Sequence, residues 1–244
     1  MRVHAAYKRS LVTLSRTLLI LCAGLLVSPV ASSAEAMPAR DLVRVFDLAV
    51  FGRDGGERET VTKWDDRIQV AFLGIRDEEL RDAHRKFFKA MSDRSAMDIS
   101  VVTYGRETSN YFVFFLPEDN YLDHRAKYLE PKSGNKSPCY LSVKAAGEGR
   151  IDKATVLVNT HAPMVDIARC VETRLVQSFG VLHSIGSGVT KVSSGPRVKP
   201  ELRFSEQDWR VLHLLYRKEI RPGMTRQETL KVVKRLLREM EKAK

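Results

Sequence analysis

No stretch of this chain is apolar over the roughly 20 residues that a membrane-spanning helix needs. The most apolar run, Leu18 to Val27, covers about ten residues, so an integral membrane protein is not expected. Phosphate-binding loops of the P-loop and GxGxxG types are missing, which leaves nucleotide chemistry without support. A GxSxG nucleophile elbow is also missing, and with it the signature of a serine hydrolase. No HExxH pair occurs, so the usual zinc-peptidase helix is not written out. No internal repeat is evident. Cysteine is scarce, with three residues in 244. The first 34 residues contain no acid at all.

That last absence has a positive counterpart. Arg2, Lys8, Arg9 and Arg16 form a basic head, Leu18 to Val27 an apolar core, and the small residues of "ASSAEA" a cleavage region. This order is that of a secretory signal peptide. Cleavage is expected after Ala34, with Ala36 the next choice, and residues 1–34 are assigned to the signal. Lipid attachment at Cys22 is disfavoured by the bulky Leu21 before it. The exported chain of 210 residues is then a periplasmic or extracellular protein, and nucleic acid is a poor partner for it. Its formal charge falls from +11 to +7 when the four basic residues of the signal leave. A moderately basic protein suits an anionic envelope surface, although a merely soluble cationic protein has the same balance. Cys139 and Cys170 remain as a pair in an oxidising compartment, where a disulfide is the simplest state. It would close a loop of about 32 residues, stabilising by roughly 3–4 kcal/mol.

The pattern along the chain predicts a mixed α/β (α+β) fold. Leu42, Val45, Phe46 and Ala49 recur at helical spacing and stop at Gly52. Ile68, Val70 and Phe72 alternate as in a strand. A helix over "DEELRDAHRKFFKAMSDRS" follows, then two strands, "DISVVTYG" and "NYFVFFLP", around a turn at "GRETS". Tyr121 to Pro138 reads as a long polar loop. Two further strands are joined through "AAGEGR". Pro163 opens a helix that ends near Phe179, with Gly180 as its left-handed stop. "SGVTKVSSGPRVKP" reads as a loop. Ser205 and Asp208 make a capping box, with Phe204 and Trp209 as its staple. Pro222-Gly223 breaks the chain, and Thr225 and Glu228 cap a last helix. That helix has an apolar stripe of Leu230, Val233, Leu237 and Met240. Lys231, Lys234, Arg235 and Arg238 form its basic face, so residues 225–244 are set apart from a domain over 35–224.

The segment "CVETRLVQSFGVLHSIG", Cys170 to Gly186, carries the functional question. In a metzincin, HExxHxxGxxH places two His on one helix face, a Glu beside the first, and a third His past a glycine turn. With Gly180 as that glycine, the third-ligand position is His183. The first ligand position is Thr173, the catalytic Glu position Arg174, and the second ligand position Gln177. Two ligands and the base are therefore replaced, and Arg174 puts a cation where a divalent ion would sit. Between His183 and Phe204 no methionine is available for the turn that lies beneath the metal in metzincins.

The order from "RIQVAFLG" to "FSEQDWRVLHLLY" nonetheless resembles a metzincin catalytic domain in outline, with twisted sheet, packed helices and C-terminal helices. More closely, "FDLAVFG", Cys139-Tyr140, "RCVETRLVQSFGVL" and "LLYRKEIRPGMTRQE" resemble a bacterial family, the domain of unknown function 2927. Cys170, Val171, Leu175, Gln177, Phe179, Gly180 and Leu182 fit that family's helix, while Thr173 and Arg174 replace its usual acidic pair. The resemblance implies fold and export, not activity. It also implies that Cys139–Cys170 pins the degenerate helix to the sheet.

His161, Glu172 and His183 are the nearest substitute metal ligands, but they would need a geometry different from the template. No cofactor is expected, zinc included, for want of three converging donors. Asp65-Asp66 and Asp77-Glu78-Glu79 sit at element starts, where capping is the ordinary role. The leading expectation is a non-catalytic exported protein with a metzincin-like core, whose groove binds a peptide or an envelope partner by edge pairing. A metallopeptidase with atypical ligands is one alternative. The other is a charge-driven binder of anionic envelope material acting through the last helix.

Overall fold

The computed structural model describes residues 37–52, 58–74, 78–95, 97–102, 108–128, 137–183 and 204–242. The expected signal segment and the "SGVTKVSSGPRVKP" loop lie outside the described residues. Six helices and five strands follow one another in the described part: α1 (Ala39–Phe51), β1 (Ile68–Gly74), α2 (Glu78–Arg94), β2 (Ile99–Val102), β3 (Tyr111–Leu116), α3 (Glu118–Tyr128), β4 (Cys139–Ala145), β5 (Ile151–Asn159), α4 (Met164–Ser178), α5 (Glu206–Leu215) and α6 (Arg226–Lys242). The α/β expectation therefore holds. No helix among the described residues is long and apolar enough to cross a membrane.

The strands form one mixed sheet in the order β2-β1-β3-β5-β4. Strands β2, β1, β3 and β5 are mutually parallel. Strand β4 runs antiparallel to β5 and ends the sheet. Parallel neighbours need crossovers, and α2 supplies the one from β1 to β2. Strands β4 and β5 need only a hairpin, made by the short turn Gly147–Gly149. The alternation of β3 divides the sheet into two faces. Tyr111, Val113 and Phe115 enter the main core with β1, α1, α2, α4, α5 and α6. Phe112, Phe114 and Leu116 enter a smaller cluster with Tyr121 of α3, Tyr140 and Leu157.

Caps and breaks fall where the residues put them. Gly52 follows α1 with a positive φ of 85°. Pro163 precedes α4. Ser205 Oγ accepts from Asp208 N at 3.0 Å while Asp208 Oδ2 accepts from Ser205 N at 3.3 Å. The Phe204 and Trp209 rings stand 5.3 Å apart. Thr225 and Glu228 form a second reciprocal cap.

Three expectations are corrected. First, residues 118–128 form helix α3, not a polar loop. Its good helix formers and first-turn acids suffice, but it buries only a narrow face centred on Tyr121, so no apolar stripe marks it. Second, β2 and β3, read as two strands around a turn, are not neighbours in the sheet, because β1 lies between them. Asn110 makes this crossing firm: its Oδ1 accepts from Gln69 N at 2.8 Å and its Nδ2 donates to Arg67 O at 2.8 Å. Third, Met240 is exposed, and Leu236 takes its place beside Val233 and Leu237 in the core. Helix α6 runs antiparallel to α1, as Arg226 pairs with Asp47 while Leu237 and Ala39 line one groove farther along. By Met240 it has passed the start of α1.

Candidate ligand-binding cleft

Helix α4 carries the segment from Cys170 that the sequence singled out, and its position is set from below. Ile167, Ala168, Val171, Leu175 and Val176 are buried toward the sheet. Ser178 Oγ donates to Leu175 O at 2.7 Å and lies 2.8 Å from Tyr111 Oη. Trp64 Nε1 donates to Ser178 O at 2.9 Å. Tyr216 Oη donates to Phe179 O at 3.1 Å and accepts from Trp64 N at 3.3 Å. Burial pushes both the Tyr111 and the Tyr216 phenols above their ordinary value.

Gly180 ends the helix with φ +88°, and a Cβ there would stand 1.9 Å from Thr62 O. Only glycine combines that conformation with so close a backbone approach. Arg58 Nη1 donates to Gly180 O at 2.7 Å, and burial lowers the Arg58 pKa from its ordinary value. The exit then turns back, and Leu182 N donates to Ala49 O at 2.7 Å. Below it, Lys63 Nζ donates to Leu215 O at 3.0 Å and Ile220 O at 2.6 Å. Burial lowers the Lys63 pKa to about 8, against the opposing pull of Asp65.

The outer side of α4 shows Cys170, Thr173, Arg174 and Gln177, spaced as one helical face. Cys170 is bonded to Cys139, with Cα atoms 5.9 Å apart, so α4 is tied to the first residue of β4. Beside this tie, between α4 and the Ser137-Pro138 pair that leads into β4, opens a cleft of about 490 Å³, lined among others by Asp166, Arg169, Thr173 and Arg174. Thr173 is exposed, and its Oγ1 donates back to Arg169 O at 3.1 Å. Arg174 Nη1 donates to Gln177 Oε1 at 2.8 Å, and Gln177 Nε2 donates to Leu182 O at 3.0 Å. Arg174 Nε is buried with no hydrogen-bond partner among the described residues. Tyr121 Oη donates to Ser137 O at 2.5 Å at the cleft's edge. Burial, and next Tyr140, push its phenol above the usual value, against the pull of Arg125 and Arg174.

These donors do not fit a zinc ion. Thr173 offers a neutral hydroxyl already bonded to the helix. Arg174 is a cation, and the Gln177 amide is engaged from both ends. His161, exposed before α4, donates its backbone N–H to Asn159 Oδ1 at 3.0 Å. His183 lies beyond the helix, with its N 3.2 Å from Ala49 O, and Glu172 is half-buried on α4. The three do not converge: no group of three or more His, Cys, Asp or Glu among the described residues is placed to hold a metal. The residues that fix the helix exit, Arg58, Lys63, Trp64 and Ser178, carry no periodic or motif signal. Gly180 alone announced that exit.

The family described as "Protein of unknown function (DUF2927)" matches residues 39–235. The chain belongs to this family. The DUF2927 match begins with the first residue of α1 and takes in the whole sheet, α4, α5 and more than half of α6. No curated protein matches the chain.

Proposed function

We propose that this protein is an exported, non-catalytic member of its family with a metzincin-like core, and that the cleft between α4 and the residues leading into β4 holds an extended peptide that continues along the free edge of β4. The observation that carries the reading is the placement of Thr173 and Arg174. They line an open cleft beside the sheet's last strand, at the positions where the peptidase template needs a ligand and a base. A strand at the end of a sheet offers backbone groups to a peptide laid alongside it. Along β4 the burial decreases from Cys139 to Ala145, and Val143 is exposed. No described strand pairs with its far side. Arg169 and Arg174 would hold peptide carbonyls or an acidic side chain, and Asp166 a basic one. Without a metal-bound water or a carboxylate base, the same geometry retains a peptide and does not cut it. The Cys139–Cys170 bond agrees with an oxidising compartment, as does the basic-apolar-small order of residues 1–34.

The experiment is a titration of the purified protein with zinc and, separately, with a mixture of unstructured casein-derived peptides. Mass spectrometry of the peptides reports cutting. Backbone amide shifts report where they bind. Shifts at Leu141 to Ala145 and Asp166 to Arg174, with intact peptides, are expected. Tight stoichiometric zinc binding, or peptide cutting lost in His183→Ala, would establish an atypical metallopeptidase instead.

A further inference from the structure

A second site, independent of the cleft, is built by α1 and α6. Their facing stripes enclose a groove of about 770 Å³ with an apolar floor of Ala39, Val43, Leu230 and Leu237. Four cations stand around it: Arg40 and Arg44 from α1, and Lys234 and Arg238 from α6. All four are exposed. None has a carboxylate partner among the described residues; Arg238 Nε donates only to Lys234 O, at 3.2 Å. The acids nearby are largely spent elsewhere. Both oxygens of Asp47 accept from Arg226 at 2.7 Å, and Glu239 faces Arg235 at 3.9 Å. Asp41 is the remaining carboxylate in the groove lining.

We propose that this groove docks the protein on an anionic phospholipid membrane surface. The argument is charge complementarity combined with an apolar floor. A cluster of cations alone is served by any polyanion. Cations ringing an apolar floor match a ligand whose phosphates and hydrocarbon lie side by side. The sequence patterning shares this reading: α6 keeps its cations on the side away from Val233 and Leu236. The antiparallel packing brings Arg40 and Arg44 of α1 to the same end.

The test uses the full mature chain and sedimentation with phospholipid vesicles. Binding is expected on vesicles containing phosphatidylglycerol, weakening with salt, and not on pure phosphatidylcholine. Arg40→Ala and Lys234→Ala should each weaken partition about fivefold, the usual weight of one cation near such a surface. The fourfold variant R40E/R44E/K234E/R238E should abolish it, with an unchanged thermal melt to show that it folds. The pair Lys144→Ala and Lys153→Ala, on the sheet face opposite α1 and α6, should have little effect. Val43→Gln should weaken vesicle binding while leaving any binding to soluble polyphosphate unchanged. Equal binding to neutral vesicles overturns the proposal, as does equal loss in the Lys144/Lys153 pair. Tighter binding to polyphosphate, glycerol phosphate or poly-glutamate than to the vesicles also overturns it, and assigns the groove to a soluble anion or an acidic peptide.

Discussion

The two sides of α4 obey different rules. Its inner side meets Trp64, Tyr111 and Tyr216 through a set of hydrogen bonds, all with partners far away in the chain. Its outer side is bonded locally: Thr173 to the turn before it, Arg174 to Gln177, and Gln177 to the helix exit. The long-range ties described on that side centre on Cys170, through its disulfide to Cys139 and the Ser137 hydroxyl 3.3 Å from its sulfur. The lesson is that the helix is held in place without help from the residues that would carry chemistry. The residues at 173, 174 and 177 can therefore vary while the architecture survives.

The strongest way to break this contrast is at the helix exit. Gly180→Ala forces a Cβ to within 1.9 Å of Thr62 O at φ +88°. Strain at such a position, added to a clash with backbone, should cost about 4 kcal/mol or prevent folding. Gly147→Ala is the control, because nothing lies within 4 Å of its Cβ. It should be neutral, or stabilising by up to about 1 kcal/mol. Urea melts of both check this. Equal midpoints would mean that the segment around Thr62 does not pack under α4. Next in size is the disulfide. Cys139→Ser with Cys170→Ser should cost about 3 kcal/mol, chiefly through the freed unfolded chain. The fold should survive, because the inner side still anchors α4. Complete unfolding at room temperature would make the bond a condition of the fold.

A third test reads the inner side through pH. Burial lowers the Lys63 pKa to about 8 from 10.5. Below pH 8 the folded and unfolded chains are both protonated there, and the penalty for burying the cation is fully present. Between pH 8 and 10.5 the folded chain loses the proton first, so the unfolded state binds more protons and stability rises with pH. The full gain is about 3 kcal/mol. Above about pH 10 the buried Tyr111 and Tyr216, whose values are raised, pull the other way. The rise should therefore be sought between pH 8 and 10. Lys63→Met should remove it, even though that variant is less stable throughout. A slope that persists in Lys63→Met would move the effect to another group.

How much of this was legible in the residues follows the same division. Helices with a broad apolar stripe and a chemical stop, such as α1 with Gly52 and α4 with Gly180, could be read directly. So could the two capping boxes, which depend on residues three apart. Helix α3 could not, because its burial rests on little more than Tyr121. The order of β2 and β3 was hidden as well: pairing with β1 is a long-range choice, enforced by Asn110 across the sheet. At the site, the outer face could be laid on a template because its members are spaced by helical turns. The inner anchors could not, since Lys63 and Trp64 meet α4 and α5 only through the tertiary fold.

The smallest effects are expected on the outer face, and they sharpen the comparison most. Thr173→Ala removes a hydroxyl bonded to its own helix on an exposed turn, a change worth within about 0.5 kcal/mol. Arg174→Met keeps the apolar stem, deletes a buried Nε that has no described partner, and frees Gln177 Oε1 toward the cleft. It too should stay within about 0.5 kcal/mol, since losing an unpartnered donor offsets part of the lost bond. Thermal melts should place both variants beside the parent, while bound peptides lose their shifts at Arg169 and Thr173. A loss of about 2 kcal/mol in either variant would make the outer face part of the scaffold. The residues at 173 and 174 would then be kept for stability, and the cleft beside α4 would be a by-product of packing.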